Sequence, residues 1–214
     1  MDNKIKIISL TLIFIVVMCN NFVIAEGEKI EDIVNELSHN KMQVRRDAAK
    51  KLGDLAETGE LKSSTDEVIK ALEKLIEDEN YDVAWAAVNS LEKIGEPAIS
   101  VLDEKIKNNL LNLDVEIIKA IIKTLGEITP KNSEEAITSL SELVMYNDNS
   151  DIRFEAVKAL EEIGSNSKVV VKALLIGSGD IFKVSLYARK ALNSLVLNFS
   201  KASLLSEAIR DSDP

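Results

Sequence analysis

Apolar side chains recur along most of the chain at steps of three and four, the spacing that gathers them on one face of a helix. Four nine-residue segments align without gaps: Val44–Leu52, Val83–Leu91, Ile152–Leu160 and Val184–Leu192. A weaker copy runs from Ile117 to Leu125, and the five starting points lie 39, 34, 35 and 32 positions apart. Within each copy an aliphatic residue opens the pattern. A small residue follows at position four (Ala48, Ala87, Ala156, Ala188, with Ile121 the exception). Leucine comes at position eight (Leu52, Leu91, Leu125, Leu160, Leu192) and another aliphatic at eleven. The recurring alanine predicts a close helix–helix contact that a larger side chain would overpack.

A second apolar stripe precedes each copy, marked by Ile30–Leu37, Val68–Ile76, Ile99–Leu110, Ile137–Val144 and the short Val169–Leu175. Gly95 and Gly164 suit helix C-termini. Ser64 with Glu67, and Asn132 with Glu135, have capping-box spacing. Pro97 fits a first helical turn and Pro130 ends the helix before it. Asp82 and Asp151 stand where a carboxylate can cap an inner helix. Ala56–Ser64 reads as a long loop, and Lys201–Arg210 as a capping helix before a polar tail. One helix pair cannot cover its own apolar face, so the pairs must stack.

Composition agrees with an all-α chain. Aromatics make up 4% of the residues, with 8 glycines and 3 prolines, too little punctuation for an all-β fold. Residues 1–25 read as a secretory signal peptide. Lys4 and Lys6 form the basic end, Ile7–Met18 the apolar core, and Val23-Ile24-Ala25 the cleavage signal between Ala25 and Glu26. The expected division is thus a signal peptide over 1–25 and one repeat domain over 26–214. The mature chain is expected to be periplasmic or secreted. A lipoprotein is the second option, with lipidation at Cys19, and an uncleaved membrane anchor the third. Cys19 is the only cysteine, so the mature chain has no disulfide framework. The net charge is −10. Without Lys4, Lys6 and Asp2 the remaining 24 basic and 35 acidic residues give −11, which opposes nucleic-acid binding and, beyond the N-terminal segment, anionic lipid.

The repeat resembles the HEAT-like repeats of bacterial proteins of the phycobilisome-lyase type, over roughly residues 28–200. The residues that carry the likeness are Asp151-Ile152-Arg153 with Ala156, Leu160, Ile163 and Gly164, and Val44-Arg45 with Ala48, Ala49, Leu52 and Gly53. The second and third copies have Ala84 and Ile118 where the pattern has arginine. The resemblance implies a right-handed α-solenoid of about five two-helix repeats. It transfers no activity, because a shared fold does not imply a shared function.

No catalytic constellation emerges. His39 is the only histidine and reads as an exposed turn residue. Gly177-Ser178-Gly179 reads as an isolated turn. Asn147–Asp151 lacks the glycine and glutamate of a calcium loop and reads as a helix connection. Glu161-Glu162 and Glu134-Glu135 read as solvated pairs. No metal or cofactor is expected. The candidate site is instead a column on the inner helices, where positions two, three, six and ten are expected to face outward. It comprises Arg46, Lys50, Trp85, Asn89, Lys119, Lys123, Phe154, Lys158, Tyr187 and Lys190. One reading is a solvated face with its aromatics packed sideways. The other is a concave groove that holds an acidic peptide between aromatic anchors and lysines. The expected function is a non-catalytic scaffold for a protein or peptide partner. A cofactor-attachment lyase or chaperone and a nucleic-acid binder are the alternatives.

Overall fold

The computed structural model describes residues 30–108 and 112–198. The expected signal peptide, Cys19, the Ala25–Glu26 bond and the capping helix Lys201–Arg210 lie outside them. Residues 30–36 are helical (α1). The helices that follow are α2 (Met42–Glu57), α3 (Thr65–Leu75), α4 (Tyr81–Ile94), α5 (Ile99–Asn108), α6 (Val115–Ile128), α7 (Glu134–Tyr146), α8 (Ser150–Ile163), α9 (Lys168–Gly177) and α10 (Phe182–Asn198). Single 3₁₀ turns at Lys62–Ser64 and Glu96–Ala98 lead into α3 and α5. Among the described residues there is no strand, and no helix is long and apolar enough to cross a membrane.

The helices form two layers. The even-numbered helices pack side by side in chain order from α2 to α10, and α3, α5, α7 and α9 stack behind them. The core lies between the layers. Ala48, Ala87, Ala156 and Ala188 are all fully buried, as the pattern requires. So are Leu52, Leu91 and Leu125, each contributing about 1.5–3 kcal/mol of transfer free energy. Gly95 (φ 79°) and Gly164 (φ 63°) end α4 and α8 with positive φ, where a side chain would be strained.

Several local expectations shift. Asn80 and Asn149 cap α4 and α8, accepting the backbone N–H of Asp82 and Asp151 (3.1 and 2.9 Å). Asp82 and Asp151 are therefore first-turn residues, not caps, although they still face the positive helix end. Ser64 precedes α3 without a side-chain cap bond, because the chain enters through a 3₁₀ turn. Ser133, not Asn132, precedes α7 and also makes none. The expected loop from Ala56 is shorter, since α2 continues to Glu57. Gly177 is the last residue of α9 and packs against Val144, so it is not part of a free turn.

Packing within the inner layer alternates. A Cβ built on Gly53 would lie 2.8 Å from Ser90 Oγ and 3.0 Å from Ser90 Cα, and one on Gly126 would lie 2.9 Å from Ala159 Cα. These glycines, at position nine, let α2 meet α4 and α6 meet α8 almost backbone to backbone. The Ser90 hydroxyl donates across the first seam to the Ala49 carbonyl (2.7 Å). At the same position α4 and α8 carry Glu92 and Glu161. Those carboxylates stand in the α4/α6 and α8/α10 seams.

Two arginines tie successive repeats together. Arg45 forks onto Asp78 (2.7 and 2.8 Å) while its third nitrogen donates to the His39 and Asn40 carbonyls. Arg153 repeats the arrangement with Asp180 (2.5 and 2.8 Å) and the Asn147 and Asp148 carbonyls. Burial raises the Asp78 pKa, but the Arg45 hydrogen bond, the Asn80 N–H and the Arg45 charge outweigh it and hold the carboxyl below its usual range. The Arg153 hydrogen bond does the same for Asp180 against its burial. Asn147–Asp151 is accordingly a helix connection gripped by Arg153. His39 is an exposed turn residue whose Nδ1 accepts the Lys41 N–H (3.0 Å).

Candidate partner-binding face

The even-numbered helices place the candidate residues in two rows. Position two supplies Arg46, Trp85, Lys119, Phe154 and Leu186 along one row, and position six supplies Lys50, Asn89, Lys123, Lys158 and Lys190 along the next. Because each inner helix is flanked by two others, positions two and three lie in the seams and do not point straight out. Ala86 and Ala120, both at position three, are buried for this reason. Phe154 is buried too, at 8% exposure, which removes it as an anchor for a partner.

The cover on Phe154 comes from within the chain. Tyr187 of α10 meets it edge-on, with ring centroids 4.8 Å apart. Lys183 lies 4.0 Å and Lys158 5.5 Å from its ring centroid, and Lys190 lies 5.6 Å from that of Tyr187. Trp85 is placed differently. It retains 39% of its surface and stacks on Tyr81, itself exposed, with centroids 6.0 Å apart. Sequence reasoning missed Tyr81, four residues before Trp85, where helical spacing could have signalled it.

The lysine row is not free positive charge. Lys123 pairs with Glu127 (2.8 Å), Lys158 with Glu155 (2.8 Å), Lys190 with Glu161 (3.1 Å), and Lys119 with Glu116 (2.9 Å). Arg46 pairs with Asp47 (3.0 Å). Glu161 is accordingly half-buried, unlike the solvated residue expected, while Glu162 is exposed. The hydrogen bond that Lys123 donates to Glu127 holds it above its ordinary lysine value, with the charges of Glu127, Glu92 and Glu162 adding to it. In the α4/α6 seam burial pushes the Glu92 carboxyl up, and the nearby Glu127 carboxylate pushes it further. Among the described residues Lys50 is the one lysine of the row without an ion pair, so most of the expected lysine line is already neutralised within the chain.

A cleft of about 260 Å³ opens between α2 and α4, lined by Lys50, Asp54, Ala86, Asn89, Ser90 and Lys93. Lys50 makes no ion pair among the described residues, whereas Lys93 pairs with Asp54 and Glu57 (2.6 and 3.1 Å). The Asn89 side-chain amide in the wall offers both a donor and an acceptor, the complement of a peptide main chain. A larger cleft of about 400 Å³, at the turns leading into α7 and α9, shares none of these residues. Among the described residues no group of three or more His, Cys, Asp or Glu side chains could hold a metal ion.

Comparison with known proteins supports the repeat architecture. No curated protein sequence matches the chain. An engineered protein of known structure is 20% identical with a TM-score of 0.55, over 85% of this chain and 86% of its own. A designed armadillo repeat protein, solved in complex with the peptide (KR)4, is 18% identical with a TM-score of 0.53, over 80% and 83%. The CpcE–CpcF complex of phycocyanin lyase from Nostoc is 19% identical with a TM-score of 0.52, over 84% and 74%. At these identities the likeness is one of fold. Residues 30–110 match the family model for HEAT repeats, and the later described helices continue the same two-layer helical-repeat stack.

Proposed function

We propose that the chain is an exported, non-catalytic adaptor that binds a protein or peptide partner on its inner-helix face, with Trp85 at the centre of the contact. The observation that carries this reading is the exposure of Trp85 in a layer where the matching aromatic, Phe154, is covered. Leaving 39% of a large side chain in water forgoes a part of the roughly 1.5–3 kcal/mol that full burial gives. Tryptophan is also among the residues that most often dominate binding energy. The cleft between α2 and α4, with Asn89 in its wall, gives an extended segment room and main-chain partners on the same inner layer. Export rests on the basic, apolar and cleavage segments of residues 1–25.

Retention of a stoichiometric protein from the cell envelope fraction by wild-type chain, and its loss with Trp85→Ala, is the expected outcome. Thermal melting checks that the variant is folded. Equal retention by both proteins removes Trp85 from the contact. Intact mass of the native protein tests export separately, and a mass that begins at Glu26 is expected.

A further inference from the structure

Two seams of the inner layer share an arrangement at position two. That residue faces, on the next inner helix, position three and the position just before the opening aliphatic. In the α6/α8 seam these are Lys119 against Glu155 and Asp151. Lys119 is held above its ordinary lysine value first by its hydrogen bond to Glu116 and then, across the seam, by the charges of Glu155 and Asp151. In the α8/α10 seam they are Phe154 against Tyr187 and Lys183. Lys183 lies over the ring at 4.0 Å and reaches Asp151 Oδ1 at 3.5 Å. Both of these seams thus set a cation beside groups that attract it.

The α4/α6 seam departs from this arrangement. Trp85 takes the place of Phe154, and Asp82 that of Asp151. On α6 the place of Tyr187 is taken by Ala120 and that of Lys183 by Glu116. By repeat register the place that holds a lysine beside Phe154 holds a carboxylate on this seam, and among the described residues no cation lies over Trp85. Among the described residues Glu116 pairs only along its own helix, with Lys119. An aromatic face attracts a cation, and two carboxylates beside it strengthen the attraction.

The geometry points to a cation-accepting site on this seam: a lysine or arginine side chain of the partner sits over Trp85, between Asp82 and Glu116, where the chain's own Lys183 sits over Phe154 one pair of repeats later. This rests on the inner-face reading above and gives the partner's chemistry as a basic segment. The α8/α10 copy shows a cation in this place, while at Trp85 Tyr81 stacks on the ring and the side chain keeps 39% of its surface, with no cation over it among the described residues.

Trp85 is the only tryptophan, so its fluorescence reports the site directly. The full chain is titrated with acetylated, amidated hexaarginine and with hexaglutamate in about 0.15 M salt, where distant exposed charges are screened. Saturable change with hexaarginine alone is expected. Glu116→Lys supplies an internal filler like Lys183 and weakens the response about tenfold. Glu104→Lys makes the same change of charge at an exposed position on the outer helix α5 and leaves it in place. Asp82→Asn weakens it as well, which covers the case of a poorly folded Glu116→Lys. Equal weakening by Glu104→Lys and Glu116→Lys, or no response to hexaarginine, overturns the proposal. A partner lost with Trp85→Ala but held equally by wild type and Glu116→Lys keeps the inner-face reading and removes only the cation.

Discussion

The two flanks of α4 are packed by opposite rules. Toward α2, Gly53 meets Ser90 at near-backbone distance, the Ser90 hydroxyl crosses to the Ala49 carbonyl, and Arg45 grips Asp78 ahead of α4. Toward α6, the helix presents Glu92 at the position Gly53 holds in α2, Trp85 stands open, and Ala84 occupies the place of the gripping arginine. One repeat register therefore serves two ends. Where position nine is glycine and position one is arginine, residues are used to hold neighbours together. Where they are glutamate and alanine, the same scaffold leaves Trp85 partly exposed.

Filling the closed flank should produce the largest effect. Gly53→Val drives a branched side chain into Ser90 and is expected to cost about 3 kcal/mol, lowering the melting temperature by roughly 10 °C. Thermal unfolding followed by circular dichroism measures it, and an unchanged midpoint would mean the seam has room that the distances deny.

Loosening the clamp comes next. Arg45→Ala strands the largely buried Asp78 carboxylate and is expected to cost about 2 kcal/mol. The pH dependence carries a sign. Asp78 has its folded pKa below the ordinary carboxylate value, so the clamp's contribution is complete above that value and is lost as pH falls through the folded one. Denaturant unfolding at several pH values should show a shallower acid decline in Arg45→Ala than in wild type. Parallel curves contradict the clamp.

The smallest effect is on the open flank. Glu92 is pushed up, so it opposes folding increasingly as pH rises from the ordinary carboxylate range through its raised value. Glu92→Gln is expected to gain about 0.5–1 kcal/mol at neutral pH and nothing in acid. A loss at neutral pH would show that the ionised group is held by partners stronger than the repulsion of Glu127.

The helices and their buried faces were legible in the sequence because both repeat at fixed steps. Ala48, Ala87, Ala156 and Ala188 could be assigned to the core from spacing alone, and Gly95 and Gly164 to helix ends. The seams were not legible, because a period within one helix says nothing about which side chain of the next helix it meets. Phe154 and Trp85 hold the same position and read alike in sequence, yet one is covered and the other open. The difference is set by Lys183 and Tyr187 on one neighbour and Glu116 and Ala120 on the other. The lysine row misled for a related reason, since the carboxylates that pair with it sit three or four residues away along each helix or on the adjoining one. The caps moved by two residues because Asx turns at Asp78 and Asn147 set where the chain enters α4 and α8.

Photo-crosslinking in the native cell tests the contrast between faces most directly. A photoreactive phenylalanine is placed at Tyr81, beside Trp85, and in a second protein at Tyr146, which is more exposed (71%) but lies on the outer helix α7. A discrete adduct from position 81 and none from position 146 is the predicted result. Adducts from position 146 alone would place the working surface on the opposite layer and contradict the account.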